Sequence, residues 1–339
     1  MNTTLEPTVA TATAEKPLLV SKRAGIDQNQ LGQIKITTIL VPIDFSRTSM
    51  DALNYAVALA RKFAAAVHLL HVTAPDEAAV PGVAHTLRQT AQAVLSAQAR
   101  LAKTHEKHLF PFWPANTHVR TGQAFHEICE QAREIGADLI VIGTRGNTGL
   151  KRVLLGSTTE RVVRFSHCPV LAVRKRKGGF GIGADLSSSA KEMTLRRLLV
   201  PTDFSQCAMA GLTYGALWAK TFNAKLRLLH VLSPPAPLLN DRLAPGLAIQ
   251  KVAIPTETKC EMEALTKLDF MEGVKCEAKI CLGYTTDTIC GQTDDVDLLV
   301  ISTHGRTGWR HAVIGSVAEQ AIRYAECPVL VVPSHRAMS

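Results

Sequence analysis

Backbone N–H groups at the start of a helix can hold a phosphate chain, provided glycine keeps Cβ atoms out of its path. The stretch GTRGNTGLKRVLLGS, from Gly143 to Ser157, has the composition for that task. Gly146 follows Gly143 by three residues and Gly156-Ser157 comes ten later, giving the spacing G-x2-G-x9-G-S. An apolar run (ADLIVIG) precedes the loop and an amphipathic one (STTERVVRFS) follows it, so the loop joins a strand to a helix. Ser157 brings a hydroxyl, and Arg145, Lys151 and Arg152 bring positive charge. A second stretch, STHGRTGWRHAVIGS from Ser302 to Ser316, keeps Gly305, Gly315 and Ser316 but opens on serine. Two glycines alone carry little weight; the spacing seen twice between a strand and a helix carries much more. If the position of Gly143 requires φ > 0, serine there costs on the order of 1 kcal/mol or more; if it requires only smallness, serine is harmless. Val317 and Ala318 also replace Thr158 and Thr159, which removes two hydroxyls. The first copy is therefore expected to be the tighter anion site.

The loops belong to a duplication. ILVPIDFS returns as LLVPTDFS, HLLHV as RLLHV, and CPVLAV as CPVLVV. Asp44 matches Asp203, His71 matches His230, Gly156 matches Gly315 and Cys168 matches Cys327, all at one offset of 159 residues. One long constant offset means two domains, not a short-period solenoid. The frame slips once: His71 to Gly122 is 51 positions, whereas His230 to Gly283 is 53. Within each copy short β-branched runs alternate with helical patterns. Strand one is TTILVPID or RRLLVPTD, and Ser46 or Ser205 is a candidate N-cap for the helix after it. Met50, Leu53, Val57 and Ala60 form one face of that helix, matched by Met209, Leu212, Ala216 and Ala219. A long helical region is expected around 85–108. The reading is α/β: two tandem five-stranded parallel sheets, doubly wound, with ligands at the carboxyl ends of the strands. The expected division is an N-terminal arm at 1–33, domain one at 34–174, a linker at 175–193, domain two at 194–333 and a tail at 334–339. The GFGIG of the linker neither follows a strand nor opens a helix, so it is a weak dinucleotide signal.

The 339 residues suffice for two domains, and 46% hydrophobic with 20% charged residues is an ordinary globular composition. No apolar run reaches the ~18–20 residues of a membrane helix. The arm lacks the basic start and apolar block of a secretory signal, and Glu6 and Glu15 speak against a transit peptide. The eight cysteines show no C-x-x-C spacing and no zinc pattern, so reduced thiols in a cytoplasmic protein are expected. The net charge of +9 permits an anionic partner. Nucleic acid is disfavoured, because the charges are spread and aromatic content is only 5%.

Gly143, Gly146, Gly156 and Ser157, with VPID upstream and CPVLAV downstream, resemble the universal stress protein family over nearly all of both copies. The resemblance implies a tandem member, a fold of the adenine nucleotide alpha hydrolase type, and ATP as the ligand, which many members bind and others do not. It implies that Pro42, Ile43, Asp44 and Val72 meet adenine and ribose. Ile142, Gly143, Arg145 and Gly146 would pass the ribose and phosphates, and Gly156, Ser157, Thr158 and Thr159 would cradle them. The weaker second site would use Pro201, Thr202, Asp203, Val231, Ile301, Ser302, His304, Gly305, Gly315, Ser316, Val317 and Ala318. Strand five commonly pairs two domains in the family, so Pro169–Val173 and Pro328–Val332 are expected to join the copies as an intramolecular pseudo-dimer. A further homodimer and an unknown protein partner are also allowed.

Simpler roles compete. Asp44 or Ser157 could cap a helix or turn, His71 and His230 suit packing or a local hydrogen bond, and His304 and His311 suit solvated loops. Cys168 and Cys327 read as small buried apolar residues. There is no Walker G-x4-G-K-[ST], no G-x-S-x-G elbow and no H-E-x-x-H. One carboxylate per site, Asp44 or Asp203, does not make an efficient hydrolase. No metal site made by protein ligands alone is expected, and Mg2+ would arrive with the phosphates. The favoured function is a nucleotide-responsive stress or signalling module. The alternatives are a scaffold with vestigial pockets and a slow ATPase.

Overall fold

A computed structural model describes residues 34–74, 84–109, 116–144, 155–174, 193–233, 253–303 and 314–333, with only the backbone described for 84–90. The expected arm, nearly all of the linker, and the tail lie outside these residues.

Copy one runs β1 (Thr38–Pro42), α1 (Arg47–Phe63), β2 (Ala66–Thr73), α2 (Ala84–His108), β3 (Thr117–Thr121), α3 (Ala124–Glu134), β4 (Leu139–Gly143), α4 (Ser157–Phe165) and β5 (Val170–Val173). Copy two repeats the order: β6 (Arg197–Pro201), α5 (Gln206–Phe222), β7 (Lys225–Leu232), α6 (Thr256–Thr266), β8 (Lys275–Leu282), α7 (Thr285–Gly291), β9 (Leu298–Ser302), α8 (Ser316–Tyr324) and β10 (Val329–Val332). A 3-10 turn at Asp269–Met271 precedes β8.

The first helices start where the sequence provides a cap. Ser46 Oγ accepts from the Ser49 N–H at 3.2 Å, and Ser205 Oγ accepts from the Ala208 N–H at 3.1 Å. Both helices end on a left-handed residue, Ala64 (φ 55°) and Asn223 (φ 49°). Leu53, Val57 and Ala60 of the expected stripe are buried, as are Leu212, Ala216 and Ala219. The inner strands are buried on both faces, as in LIVIG of β4, because helices cover the sheet above and below.

One ten-stranded sheet runs β3-β2-β1-β4-β5-β10-β9-β6-β7-β8. Neighbours are parallel within each copy, and β5 with β10 is antiparallel. β1 lies between β2 and β4, so the chain leaves β1 toward one side and later returns to the other. That reversal opens a crevice at the carboxyl ends of β1 and β4, and β6 with β9 repeats it.

The expected pairing of the two fifth strands is present. Leu171 faces Leu330, its equivalent at the 159-residue offset, so the pairing is symmetric about that point. Helices reinforce the seam: Phe63 of α1 sits edge-on to Trp218 and Phe222 of α5, at ring-centroid distances of 5.9 and 6.0 Å. Each of the two apolar layers, one per face of the sheet, contains side chains from both copies. Arg174 breaks the symmetry: its guanidinium donates to the Arg323 carbonyl at 2.7 Å, at the end of α8, whereas Pro333 holds the matching position. Among the described residues no helix is long and apolar enough to cross a membrane.

Two predictions follow from this packing. Leu330 is 0% exposed, so Leu330→Lys places an uncompensated charge in the seam. It should cost roughly 3–5 kcal/mol, seen as a lower urea midpoint; an unchanged midpoint would mean the seam does not hold the copies together. On β2 and β3, His68 Nδ1 and His118 Nε2 lie 3.0 Å apart. Burial first, and then the His118 ring for His68 and the Arg120 guanidinium for His118, hold both rings below the ordinary imidazole value. The folded protein therefore binds fewer protons than the unfolded chain just below pH 6.5, and stability falls as pH drops through that window. A His68→Gln/His118→Gln chain should lose less stability between pH 7 and about 5 in denaturant titrations.

Candidate functional site

At the end of β1, Pro42 and Ile43 are buried and Asp44 is half-buried. Asp44 Oδ1 accepts from the Ser46 N–H at 2.9 Å; in copy two Asp203 Oδ1 accepts from the Ser205 N–H at 3.0 Å. The turn role considered for Asp44 is thus real, and it fixes the carboxylate at the strand end, beside the crevice. The residue between aspartate and serine is left-handed: Phe45 has φ 61° and Phe204 φ 62°. A bulky side chain there costs on the order of 1–3 kcal/mol unless its surroundings hold it. They do. The ring centroids of Phe45 and His71 are 4.8 Å apart, and those of Phe204 and His230 4.4 Å. His71 Nδ1 donates to the Ile43 carbonyl at 2.6 Å, and His230 Nδ1 to the Thr202 carbonyl at 2.8 Å. The paired histidines therefore make the local hydrogen bond expected of them, and they lock the strand end.

At the end of β4 the Thr144 N–H donates to the Val173 carbonyl at 3.0 Å, and the Gly156 N–H donates to the Thr144 carbonyl at 2.9 Å. Thr303, Val332 and Gly315 repeat these bonds at 3.0 and 2.8 Å. The last strand thus sets where the helix begins. Gly156 and Gly315 are the N-caps of α4 and α8, and no side chain caps either helix. Ser157 is therefore the first helical residue and not the cap, exposed with its backbone N–H in the opening turn. An uncapped helix start is an anion site by default. Thr158 is half-buried; Thr159 is 3% exposed and donates its hydroxyl to the Gly143 carbonyl at 2.8 Å. Replacing Thr159 by Ala318 thus removes an internal tie between β4 and α4.

The need for glycine at 143 also has an answer. A Cβ there would lie 2.8 Å from the Thr48 carbonyl oxygen of α1, so the position needs smallness for close packing and no left-handed backbone. Copy two carries Ser302 and changes the helix instead. Gly211 stands where copy one has Ala52, and a Cβ on it would lie 3.3 Å from Ser302 N. The glycine has moved from strand to helix.

In copy two these parts enclose a cavity of about 700 Å3. Pro201, Thr202 and Asp203 line it from β6, Val231 from β7, Ile301 and Ser302 from β9, and Gly315 to Ala318 from α8. Ten of the twelve expected copy-two residues thus meet at one cavity; His304 and Gly305 lie outside the described residues. So do Arg145, Gly146, Lys151, Arg152 and His311. In copy one Pro42, Ile43 and Asp44 hold the β1 end and Val72 the end of β2. Ile142 and Gly143 hold the end of β4, and Gly156 to Thr159 open α4.

The sequence reading missed Thr258 and Glu261 of α6, and Thr285 and Ile289 of α7, which also line the cavity. Thr258 and Glu261 fall in the stretch where the repeat frame slips, so comparing the copies could not reveal them. The two mouths differ in charge: Arg100 of α2 lies over the Phe45 ring at 3.8 Å from its centroid, whereas copy two presents Glu261. Among the described residues no group of three or more His, Cys, Asp or Glu could hold a metal. Cys168 and Cys327 are buried, and burial pushes the thiols of Cys129, Cys276 and Cys290 up to about 11.

The sequence profile of the universal stress protein family matches residues 35–174 and again 194–333. A universal stress protein of Methanocaldococcus jannaschii is 35% identical over 148 residues, 41% of this chain and 82% of that protein. Universal stress protein YxiE of Bacillus subtilis is 34% identical over 144 residues, 40% of this chain and 97% of that protein. The crystal structure of a universal stress protein from Archaeoglobus fulgidus superposes with a TM-score of 0.61 at 20% identity, covering 89% of this chain and 97% of that one, a likeness of fold.

The displaced glycine yields a double-mutant cycle. Gly143→Ser should cost about 1–3 kcal/mol by overpacking against Thr48, and Ala52→Gly about 1 kcal/mol by helix propensity. Together they should cost less than the sum by at least ~0.5 kcal/mol. Strict additivity in chemical denaturation would show that the two positions do not compensate.

Proposed function

Because the chain belongs to the universal stress protein family, we propose that it is an ATP-binding stress or signalling module that acts through occupancy of two nucleotide sites. The observation that carries this reading is the copy-two cavity of about 700 Å3, with a fixed carboxylate at one end and an uncapped helix start at the other. That volume suits a nucleotide. Adenine would lie against the apolar ends of the strands, Asp44 and Asp203 would accept hydrogen bonds from the ribose hydroxyls, and the first turns of α4 and α8 would take the phosphates. Mg2+ bound by those phosphates would offset their charge.

We assign the tighter site to copy one, on grounds that differ in part from those the sequence suggests. Serine at 302 is accommodated by Gly211, and Thr159 spends its hydroxyl internally. What remains is the hydroxyl of Thr158 in place of Val317, and Arg100 at one mouth against Glu261 at the other. A carboxylate in place of a cation beside an anionic ligand accounts for an affinity gap of about tenfold, or ~1.4 kcal/mol.

Calorimetric titration of ATP into the full chain, with Gly156→Val and Gly315→Val variants alongside, tests the proposal. The expected result is two sites about tenfold apart, the tighter lost in Gly156→Val and the weaker in Gly315→Val. Absence of binding at millimolar ATP would overturn the module. Loss of the tighter site in Gly315→Val would reverse the assignment.

A further inference from the structure

The opposite edge of the copy-two sheet holds a second recess. It has a volume of about 280 Å3 and lies at the amino-terminal ends of β6, β7 and β8, away from the crevice. Arg197, Lys225, Arg227 and Lys275 line it, with Glu277 as the one carboxylate in the lining and Val296 beneath. Arg197 is the register partner of Lys225, and Lys225 of Lys275. Three cations thus stand in one row on neighbouring strands, about 4.8 Å apart from strand to strand. Like charges directly opposite one another destabilise a sheet. Protection of an exposed edge does not explain the row, because β6 and β7 are interior strands and only β8 is an edge. The fold does not require it either, since copy one begins the same strands with Thr38 and Ala66 and has His68 in place of Arg227.

The recess is also organised. Asp295 accepts from Arg197 Nη1 at 3.0 Å and from Arg227 Nη1 and Nη2 at 3.1 and 3.3 Å, which orients both guanidinium groups. These bonds hold the Asp295 carboxyl below the usual range, so the clamp stays ionised at neutral pH. Arg227 Nε is buried without a hydrogen-bond partner, 3.8 Å from the nearest Glu277 oxygen. The Lys225 ammonium has no partner among the described residues, and that of Lys275 has only Asn223 Oδ1 at 3.4 Å.

We infer that this recess is a second anion site, separate from the nucleotide crevice, that binds a small di- or polyphosphate free in solution. The arginine forks that would read a carboxylate are already engaged by Asp295. The Lys225 and Lys275 ammonium groups meet no carboxylate among the described residues, and such point charges suit phosphate. A concave space of this size admits a compact anion and is too small for a full nucleotide pocket of the kind seen at the other edge.

The test is calorimetric titration of pyrophosphate into the full chain with the crevices closed by saturating ATP, repeated with a Lys225→Gln/Lys275→Gln chain. Saturable binding that persists under ATP and weakens at least tenfold in the double variant is the expected result. Thermal unfolding gives an independent readout that also reports folding. Without pyrophosphate the double variant should melt above the unsubstituted chain, since the row no longer repels itself, and added pyrophosphate should raise the melting temperature of the unsubstituted chain alone. Pyrophosphate binding that ATP abolishes would place the anion in the crevice and overturn the inference. Binding that is unchanged in the double variant, or missing at millimolar pyrophosphate, would overturn it equally.

Discussion

The close approach between the end of the fourth strand and the first helix of each copy is the constraint on which the crevice depends. In a doubly wound sheet the first helix must cross the strand that lies beside β1, and here it does so with almost no space between backbones. At Gly143 a single added carbon would collide with the Thr48 carbonyl. In copy two the same helix and strand also approach closely, and a Cβ on Gly211 would lie 3.3 Å from Ser302 N. The helix that packs so closely begins at Ser46 or Ser205, two residues after the aspartate at the strand end. The packing contact and the position of the carboxylate are therefore one problem: a shift in one moves the other.

That coupling explains the strained phenylalanine. To leave the strand, present aspartate to the crevice and start a helix within three residues, the chain must reverse sharply, and Phe45 and Phe204 absorb the reversal at positive φ. Glycine would do so without strain but would leave the histidine ring unpacked. The phenylalanine covers a histidine whose Nδ1–H is itself tied to the carbonyl two residues back along the turn. Strain in the backbone is thus offset by one ring contact and one hydrogen bond, in the same arrangement in both copies.

Much of this was legible in the sequence, and the residues show why the rest was not. The 159-residue offset, the short β-branched runs and the 3.6-period stripe of the first helix reported the sheet and helices, because strands buried on both faces and a helix buried on one leave those patterns directly. Ser46 and Ser205 were legible as caps because capping is local. The purpose of Gly143 was not: smallness for packing and freedom for φ call for the same residue, and only the position of Thr48 separates them. Thr159 beside Ser157 and Thr158 reads as one more phosphate donor, until the turn of the helix directs it inward to Gly143. Glu261 was hidden for a different reason. It lies on a helix with no counterpart in register, so duplication, the strongest signal in the chain, is silent there.

The seam between the copies reaches the same sites through the backbone. Val173 and Val332 end the strands that flank the centre of the sheet, and their carbonyls hold Thr144 and Thr303, which in turn hold the N-cap glycines. Each uncapped helix start is therefore two hydrogen bonds from the strand that joins the halves. Antiparallel pairing at Leu171 and Leu330 puts both helix starts in the same relation to the seam, so rigidity at the junction is inherited by both crevices alike. Arg174 adds an unequal element: its positive charge lies at the carboxyl end of α8, where the helix dipole favours a cation, and Pro333 at the matching position brings no such charge to copy one. Duplication has thus kept the backbone geometry of the crevice nearly equal in the two halves. The differences lie in side chains around it, which is where two sites on one sheet can come to hold their ligands unequally.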